Sequence, residues 1–366
     1  MYDNHLLNFP RMESESDDSP RIQRAIDATP NGILCIPKGD YEIAAPLFIK
    51  NRCSLDMHPA ARLIATEEME FVLTYDGNAD FHALTIYNDD GSVYDNLGLF
   101  IRGGDIDANG KASCLLLANA HHYTLSNITL HNGRKYGLCV GGDLGGRLYE
   151  LVANNVYCKC TMTGLGGNIG IYTNEHDGHY TDCFVIDYTT GFKSDGGANR
   201  LTRCHIWGGT IPPLDKSIKE WSEFYAGNKR RLIDGDYTDE VDQSILEYGI
   251  PQMLVDSVAF EINTDINVLD GCFADTAMIG YLIRGNHNII TNCGFYNNKL
   301  MGLRNTLAIK NESKRLVVSN SFFTNPTGTD RFYEGARECV TWANNNADEK
   351  EVFGAYFAQK TPPEKG

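Results

Sequence analysis

A glycine opens a short alternating segment and a cysteine follows it 13 residues later, from Gly170 to Cys183, Gly191 to Cys204 and Gly280 to Cys293. Ala259 takes the glycine's place 13 residues ahead of Cys272. A recurring interval marks a repeat architecture, in which one unit cannot bury its apolar face alone and stacks on the next. The return leg is 8 residues from Cys183 to Gly191 and from Cys272 to Gly280, and 9 from Cys293 to Gly302. One full turn is therefore 21 residues at its shortest, and the extended register places Asn127, Asn155 and Asn320 in the cysteine position. The segments are short, rich in β-branched residues and punctuated by Gly, Asn and Asp, which argues against helices. Stacked parallel strands about 4.8 Å apart fit this pattern, whereas the L-x-x-L-x-L spacing of leucine-rich repeats is absent. The spacing predicts an all-β chain folded as a parallel β-helix.

That architecture assigns residues 1–366 to a single solenoid domain. Residues 17–27, DDSPRIQRAID, read as a short helix, with Ser19 as N-cap, Pro20 in the first turn and an apolar stripe of Ile22, Ala25 and Ile26. An open solenoid end needs a cover, and this helix is the expected N-terminal cap. Residues 208–257 interrupt the repeat, since Cys204 to Cys272 spans 68 residues. This insertion carries Lys229-Arg230-Arg231 and an acidic stretch, and is expected to serve as a lid or a subunit contact. Past Asn325 the repeat fades, so residues 326–366 are expected to cap the far end or to reach a neighbour.

Three stretches carry a resemblance to a known family: the acidic helix opening, GILCIPKGDYEI, and GGDIDANG at Gly103–Gly110. Together they resemble the pectate-lyase-like superfamily of right-handed parallel β-helix proteins, over about residues 16–325. The resemblance implies a right-handed single-stranded solenoid. It leaves the activity open, because that superfamily includes lyases, hydrolases, fructotransferases, epimerases and phage depolymerases. The inulin fructotransferase and difructose-anhydride hydrolase branch is the most similar in profile. That branch implies a homotrimer with sites near subunit contacts.

Strand side chains alternate between faces, so counting from the repeat's glycine separates inside from outside. One residue on stand Leu138, Ile171, Phe192, Phe260, Tyr281 and Leu303, an apolar inward column. Two residues on stand Cys139, Tyr172, Lys193, Glu261, Leu282 and Arg304, and four on stand Gly141, Asn174, Asp195, Asn263, Arg284 and Thr306. These outward columns hold the residue types of a sugar site: carboxylates for proton transfer, an aromatic platform, and amides or Arg for hydroxyls. A solvated sheet would show the same alternation. Asp195 and Glu261, on successive coils, are the expected catalytic pair, with Glu175 or Asp177 as substitutes from the turn that also holds His176 and His179. Tyr172, Asn174, Lys193, Asn263, Arg284 and Arg304 are the expected substrate-binding residues. Lys193 would hold one carboxylate ionised beside a protonated partner.

Other clusters read as structural. Eleven cysteines are an odd number in a long chain, and Cys183, Cys204, Cys272 and Cys293 fit small buried side chains of the ladder. Cys158-x-Cys160 lacks a second ligand cluster. Asp105-x-Asp107-x-Asn109-Gly110 opens like a calcium loop, but Leu116 stands where a bidentate Glu belongs, so a β-helix turn is expected. His121-His122 reads as a turn, and Asp182, Asp187, Asp270 and Asp275 as solvated residues on another face. No cofactor or metal is expected.

The net charge of −16 and pI near 5.0 disfavour nucleic acid. No apolar run reaches the ~20 residues of a membrane span. The opening MYDNHLLNFPRMESESDD lacks the basic and apolar segments of a signal peptide, so the expectation is a cytoplasmic protein acting on an imported sugar. The functional expectation is a glycoside hydrolase or transglycosylase acting on a neutral di- or oligosaccharide, with fructan-derived sugars implied by the resemblance. Two alternatives stay open: a polysaccharide lyase using Lys193, Arg284 and Arg304 on a uronate, and a glycan-binding or tail-fibre-like module without turnover.

Overall fold

The computed structural model describes residues 4–50, 52–76, 99–118, 123–141, 150–161, 167–211, 252–253, 256–297, 305–324, 331–347 and 352–353. A single coil shows the plan. The strand Ile169–Thr173 turns into His179–Thr181, a one-step corner leads to Phe184–Tyr188, and the chain returns as Thr190–Ser194 beside its starting strand. Repetition of this coil builds a right-handed parallel β-helix with three walls. Among the described residues, ten parallel strands from Leu47–Ile49 to Arg331–Glu334 form the front wall, and twenty others form the other two.

Side chains pointing inward stack coil on coil. Leu115, Leu138, Ile171, Phe192, Phe260, Tyr281 and Ile309 form one continuous column and are fully buried. Each such side chain contributes roughly 1.5–3 kcal/mol by leaving water. Glycines stand beside this column because the wall is close: a Cβ at Gly191 would lie 2.0 Å from the Ile206 side chain. The ladder cysteines Cys183, Cys204, Cys272 and Cys293 are free thiols, 1–2% exposed. Asn199, Asn267 and Asn288 form a second, polar ladder inside the corner, where each side-chain oxygen accepts the backbone N–H of the preceding coil at 2.7–3.0 Å. Buried amides thus satisfy the turns that sheet hydrogen bonds cannot reach.

Two registers differ from the sequence expectation. Val156 pairs beside Cys183 and Ser321 beside Cys293, so Asn127, Asn155 and Asn320 sit one residue before the cysteine column. Their column is a corner where the backbone turns left-handed: Gly103, Asn127, Asn155, Asp182, Arg203, Gly271, Asn292, Asn320 and Asn344 all have φ between 51° and 73°. Asn, Asp and Gly dominate there because they tolerate that conformation. The second difference concerns the coil after Tyr281, which pairs with Ile309. Ala308, not Gly302, takes the glycine place, and Leu303, Arg304 and Thr306 leave the columns assigned to them.

At the N-terminus the helix Ser19–Asp27 covers the first coils with Ile22, Ala25 and Ile26 fully buried. Its N-cap is Asp18 rather than Ser19, whose hydroxyl instead accepts the backbone N–H groups of Ala44 and Ala45. At the other end the repeat continues past Asn325 through Arg331–Glu334 and Val340–Ala343. Trp342 packs there against Phe323, Tyr333 and Phe353. Of the insertion 208–257, the described part includes an antiparallel pairing of Thr210–Ile211 with Gln252–Met253; its basic triplet and acidic stretch lie outside the described residues, as does His121-His122.

Candidate active site on the front wall

The outward face of the front wall changes character along the solenoid axis. Its first coils are apolar: Phe71, Leu116, Ala118 and Cys139 are buried outside the barrel, with Tyr136 and Tyr172 packed on them. Phe71 and Tyr136 are parallel with centroids 6.3 Å apart, and Tyr136 and Tyr172 follow at 5.4 Å. From Tyr172 onward the face is ionic. Pairing runs Tyr172, Lys193, Glu261, Leu282, Lys310 in one column. Asn174, Asp195, Asn263, Arg284 and Glu312 follow two positions later.

These two columns form a connected network. The Asn263 amide nitrogen donates to Asp195 Oδ1 at 2.6 Å and to Glu261 Oε1 at 3.2 Å. One nitrogen therefore holds the two facing oxygens within about 6 Å, at the short end of separations used by paired carboxylates in glycoside hydrolysis. Arg284 Nη1 donates to Glu261 Oε1 at 2.6 Å and to Asn263 Oδ1 at 2.8 Å, and its Nε donates to Glu312 Oε2 at 3.0 Å. Lys193 Nζ lies 3.3 Å from Glu261, and Lys310 Nζ lies 3.2 Å from Glu312. Glu261 thus faces two cations, while the described partners of Asp195 are neutral, Asn263 and the Tyr172 phenol. Burial first, and then the neighbouring Asp195 carboxylate, push that phenol well above its ordinary pKa. The Lys310 ammonium holds the Glu312 carboxyl below the usual carboxylate range.

The structure brings together Tyr172, Lys193, Asp195, Glu261, Asn263 and Arg284, and places Asn174 next to them on the preceding coil. It separates the two substitutes. Glu175 is 2% exposed and points into the solenoid, where the Tyr180 hydroxyl donates to its Oε1. Gly178 leaves the room it fills, since a Cβ there would lie 2.5 Å from that oxygen. Burial pushes the Glu175 carboxyl up to about 8. It faces away from the groove and is a core residue. Asp177 sits on the far flank of the turn, in a separate groove with His179 and Arg200. Arg304 lies outside the described residues, and Lys310 and Glu312 occupy the columns to which Arg304 and Thr306 were assigned. The sequence signal for this pair was Ala308-Ile309-Lys310-Asn311-Glu312, which repeats the pattern of Ala259-Phe260-Glu261-Ile262-Asn263.

The other ionisable clusters are engaged structurally. Asp105 and Asp107 face Arg62 at 3.3 and 3.1 Å, and Asp105 also meets His131. Asp182 pairs with Arg203, Asp270 accepts from Asn292, and Asp275 lies 3.5 Å from His205.

Parallel coils, three walls and an ionic column on the front wall define a right-handed parallel β-helix protein. No protein-family model matches the sequence, and no curated protein matches it. Solved structures do match in fold. The tailspike protein of E. coli bacteriophage HK620, in complex with a pentasaccharide, superposes with a TM-score of 0.62 at 9% identity, over 94% of this chain and 61% of that chain. ORF18 of Geobacillus virus E2 gives 0.61 at 12% identity, over 94% and 62%. The endo-xylogalacturonan hydrolase from Aspergillus tubingensis gives 0.53 at 11% identity, over 92% and 91%. This chain spans about three-fifths of the length of the two phage proteins. At these identities the likeness is one of fold.

Proposed function

We propose that the chain is a carbohydrate-active enzyme that cleaves a neutral di- or oligosaccharide by hydrolysis or glycosyl transfer, on the outer face of the front wall. The observation that carries this reading is the single Asn263 amide spanning Asp195 and Glu261. In this reading Glu261, set between Lys193 and Arg284, acts as the charged nucleophile or base. Asp195, held by neutral groups, transfers the proton to the leaving oxygen. Tyr136 and Tyr172, partly exposed over the buried Phe71, lead along the wall to the pair and supply surface on which a sugar ring rests. Support comes also from the company the fold keeps, since one similar structure is a xylogalacturonan hydrolase and another holds a pentasaccharide.

A lyase acting on a uronate fits less well. Such chemistry needs cations free to neutralise the substrate's carboxylate, and Lys193, Arg284 and Lys310 are each committed to Glu261 or Glu312. Fructan-derived sugars are the first substrates to try, and a trimer is the assembly to look for, on the family resemblance. Turnover of neutral oligosaccharides by the wild type, Asp195→Asn and Glu261→Gln tests the reading. Undiminished turnover in both variants would sink it, and a product absorbing in the near ultraviolet would give the site to elimination instead. Sugar binding with no turnover in the wild type would make the chain a binding module.

A further inference from the structure

The turns that carry Asn174, Asp195 and Asn263 have a second flank. On it Glu150, Asp177, Ala198 and Ile266 stack coil on coil, each in the left-handed region with φ of 59°, 62°, 59° and 68°. They form one side of a groove whose floor is Val152, His179, Thr181, Arg200 and Val268. We propose that this groove is a second saccharide-binding site, which takes a neutral sugar chain with its C–H face against Ile266, Val152 and Val268.

Three observations carry this. The first is Ile266. A β-branched residue at positive φ is a backbone outlier, and here its side chain is 61% exposed, so it adds nothing to the core. The turn does not demand it, because Ala198 and Asp177 hold the same place one and two coils away. A strained apolar side chain kept in water is accounted for by something that covers it.

The second is the state of the polar groups. Two other arginines on this sheet do find acids, Arg203 on Asp182 and Arg102 on Asp56. Among the described residues no side-chain hydrogen bond or ion pair engages Asp177, His179 or Arg200. A carboxylate, an imidazole and a guanidinium therefore face one groove, exposed and uncommitted to any protein side chain.

The third is the balance of charge. Glu150 and Asp177 oppose Arg200 and His179, so the groove presents no field of one sign to attract a polyanion or a polycation. Acceptors and donors interleaved with the aliphatic groups of Val152, Val268 and Ile266 match a ligand that is apolar on one face and rich in hydroxyls at its edges. Val152, His179, Arg200 and Val268 come from four successive coils in register, spaced about 4.8 Å apart. That spacing lets an extended chain lie along the solenoid axis. The site uses none of Lys193, Asp195, Glu261, Asn263 or Arg284, so it stands whether or not the front wall is catalytic.

The test uses the full chain carrying Glu261→Gln, so that binding is read without turnover. Cellohexaose, maltohexaose, a fructohexaose of the inulin type and hexagalacturonate are titrated by calorimetry, and contacts are mapped by hydrogen exchange. Binding of at least one neutral hexamer is expected, with protection over residues 177–181, 198–202 and 266–270. Arg200→Ala and Ile266→Gly should each weaken it by about ten-fold or more. Ile266→Gly should at the same time raise the thermal midpoint, because glycine accepts the left-handed turn without strain. That pairing of a stabler fold with weaker binding is not what a merely structural residue would give. Unchanged affinity in both variants, binding of hexagalacturonate alone, or binding of none of the four would overturn the proposal. So would self-association of the protein that Ile266→Gly abolishes without any effect on sugar, since the groove would then belong to a second copy of the chain.

Discussion

Arg284 donates to the side-chain oxygen of Asn263 at 2.8 Å, and this decides which end of the amide meets the two carboxylates. With the oxygen committed, the nitrogen is the end left to face Asp195 and Glu261. Arg284 is held in turn by Glu312, on the next coil. The spacing of the acids on the front wall therefore depends on a chain of contacts that begins three coils away from Asp195.

Replacing the bridge tests that dependence. Asn263→Leu keeps the approximate volume but leaves both acids without their common donor. Turnover is expected to fall by about ten- to a hundred-fold, the scale on which small misplacement of reacting groups acts, with a smaller change in KM. Equal kcat in the two proteins would show that the acids hold their places without the amide.

Removal of the acids themselves should cost more. Asp195→Asn and Glu261→Gln keep size and remove the ionisable group, and each is expected to lower kcat by roughly 10²- to 10⁴-fold. Sugar affinity should change far less, as Tyr172, Asn174 and Arg284 remain. Ordinary solvated residues would alter stability or rate by no more than about 0.5 kcal/mol, which steady-state kinetics distinguishes at once.

Glu175 makes a prediction about pH. Burial raises its carboxyl from 4.5 to about 8, so the folded protein keeps a proton that the unfolded chain gives up. Stability should accordingly fall as pH climbs through that window, with a slope approaching about 1.4 kcal/mol per pH unit from this group, and level off above it. Glu175→Gln removes the titration and should flatten the difference. Urea unfolding at pH 5, 6.5 and 8 measures it; parallel slopes for the two proteins would place the carboxyl in contact with water. The same variant should keep its activity, because the side chain points into the core.

The cysteine ladder predicts a chemical silence. Burial pushes the Cys272 thiol well above its ordinary value, and the Cys204 thiol beside Cys183 does so first for that residue. Rapid alkylation of the native protein followed by mass spectrometry should leave Cys183, Cys204, Cys272 and Cys293 unlabelled, and unfolding should make all four reactive. A disulfide among them would contradict the stack, because equivalent atoms about 4.8 Å apart cannot form a bond of about 2.05 Å.

The left-handed corner yields a last prediction. Asn155 has φ of 51° and donates to the side-chain oxygen of Asn127 at 2.9 Å. Asn155→Ala loses both the tolerance for that backbone and the bond, and about 1–2 kcal/mol of stability is expected to go with them. Asn155→Gly should recover much of it. Comparable denaturation midpoints for the Ala and Gly variants would mean that the corner does not select its residues by backbone conformation.

The fold was legible because a coil leaves a fixed interval behind it. Gly170 to Cys183 and Gly280 to Cys293 marked a close-packed position and a small buried one, and periodicity two then sorted Phe192 and Phe260 inward from Lys193 and Glu261 outward. The gathering of Asp195, Glu261 and Asn263 followed from that count alone. The failures share one cause, which is that interval arithmetic does not see corners. Asn127 and Asn155 look like ladder residues, but they belong to the left-handed corner one step earlier. Glu175 reads as a turn residue, and only the glycine at 178, close against its carboxyl in three dimensions, shows that it turns inward. Lys310 and Glu312 were hidden because alanine can replace glycine where the wall is close, so Gly302 drew the register away from Ala308. The groove beside Asp177 had no signal at all, since its residues gather only when four coils are stacked.

One consequence of the coil-by-coil pairing concerns how such a site can change. Tyr172, Lys193, Glu261 and Leu282 each come from a different coil, at the same place in the strand. The distance between any two of them is therefore counted in whole rungs and is not freely adjustable. Point mutation can exchange the chemistry on a rung, but only gain or loss of an entire coil can lengthen or shorten the interval between rungs. Deleting the coil that carries Lys193 and Asp195 would bring Tyr172 directly beside Glu261 and leave the solenoid intact. The wall thus behaves as a keyboard with fixed pitch, on which specificity for the length of a ligand would change in jumps.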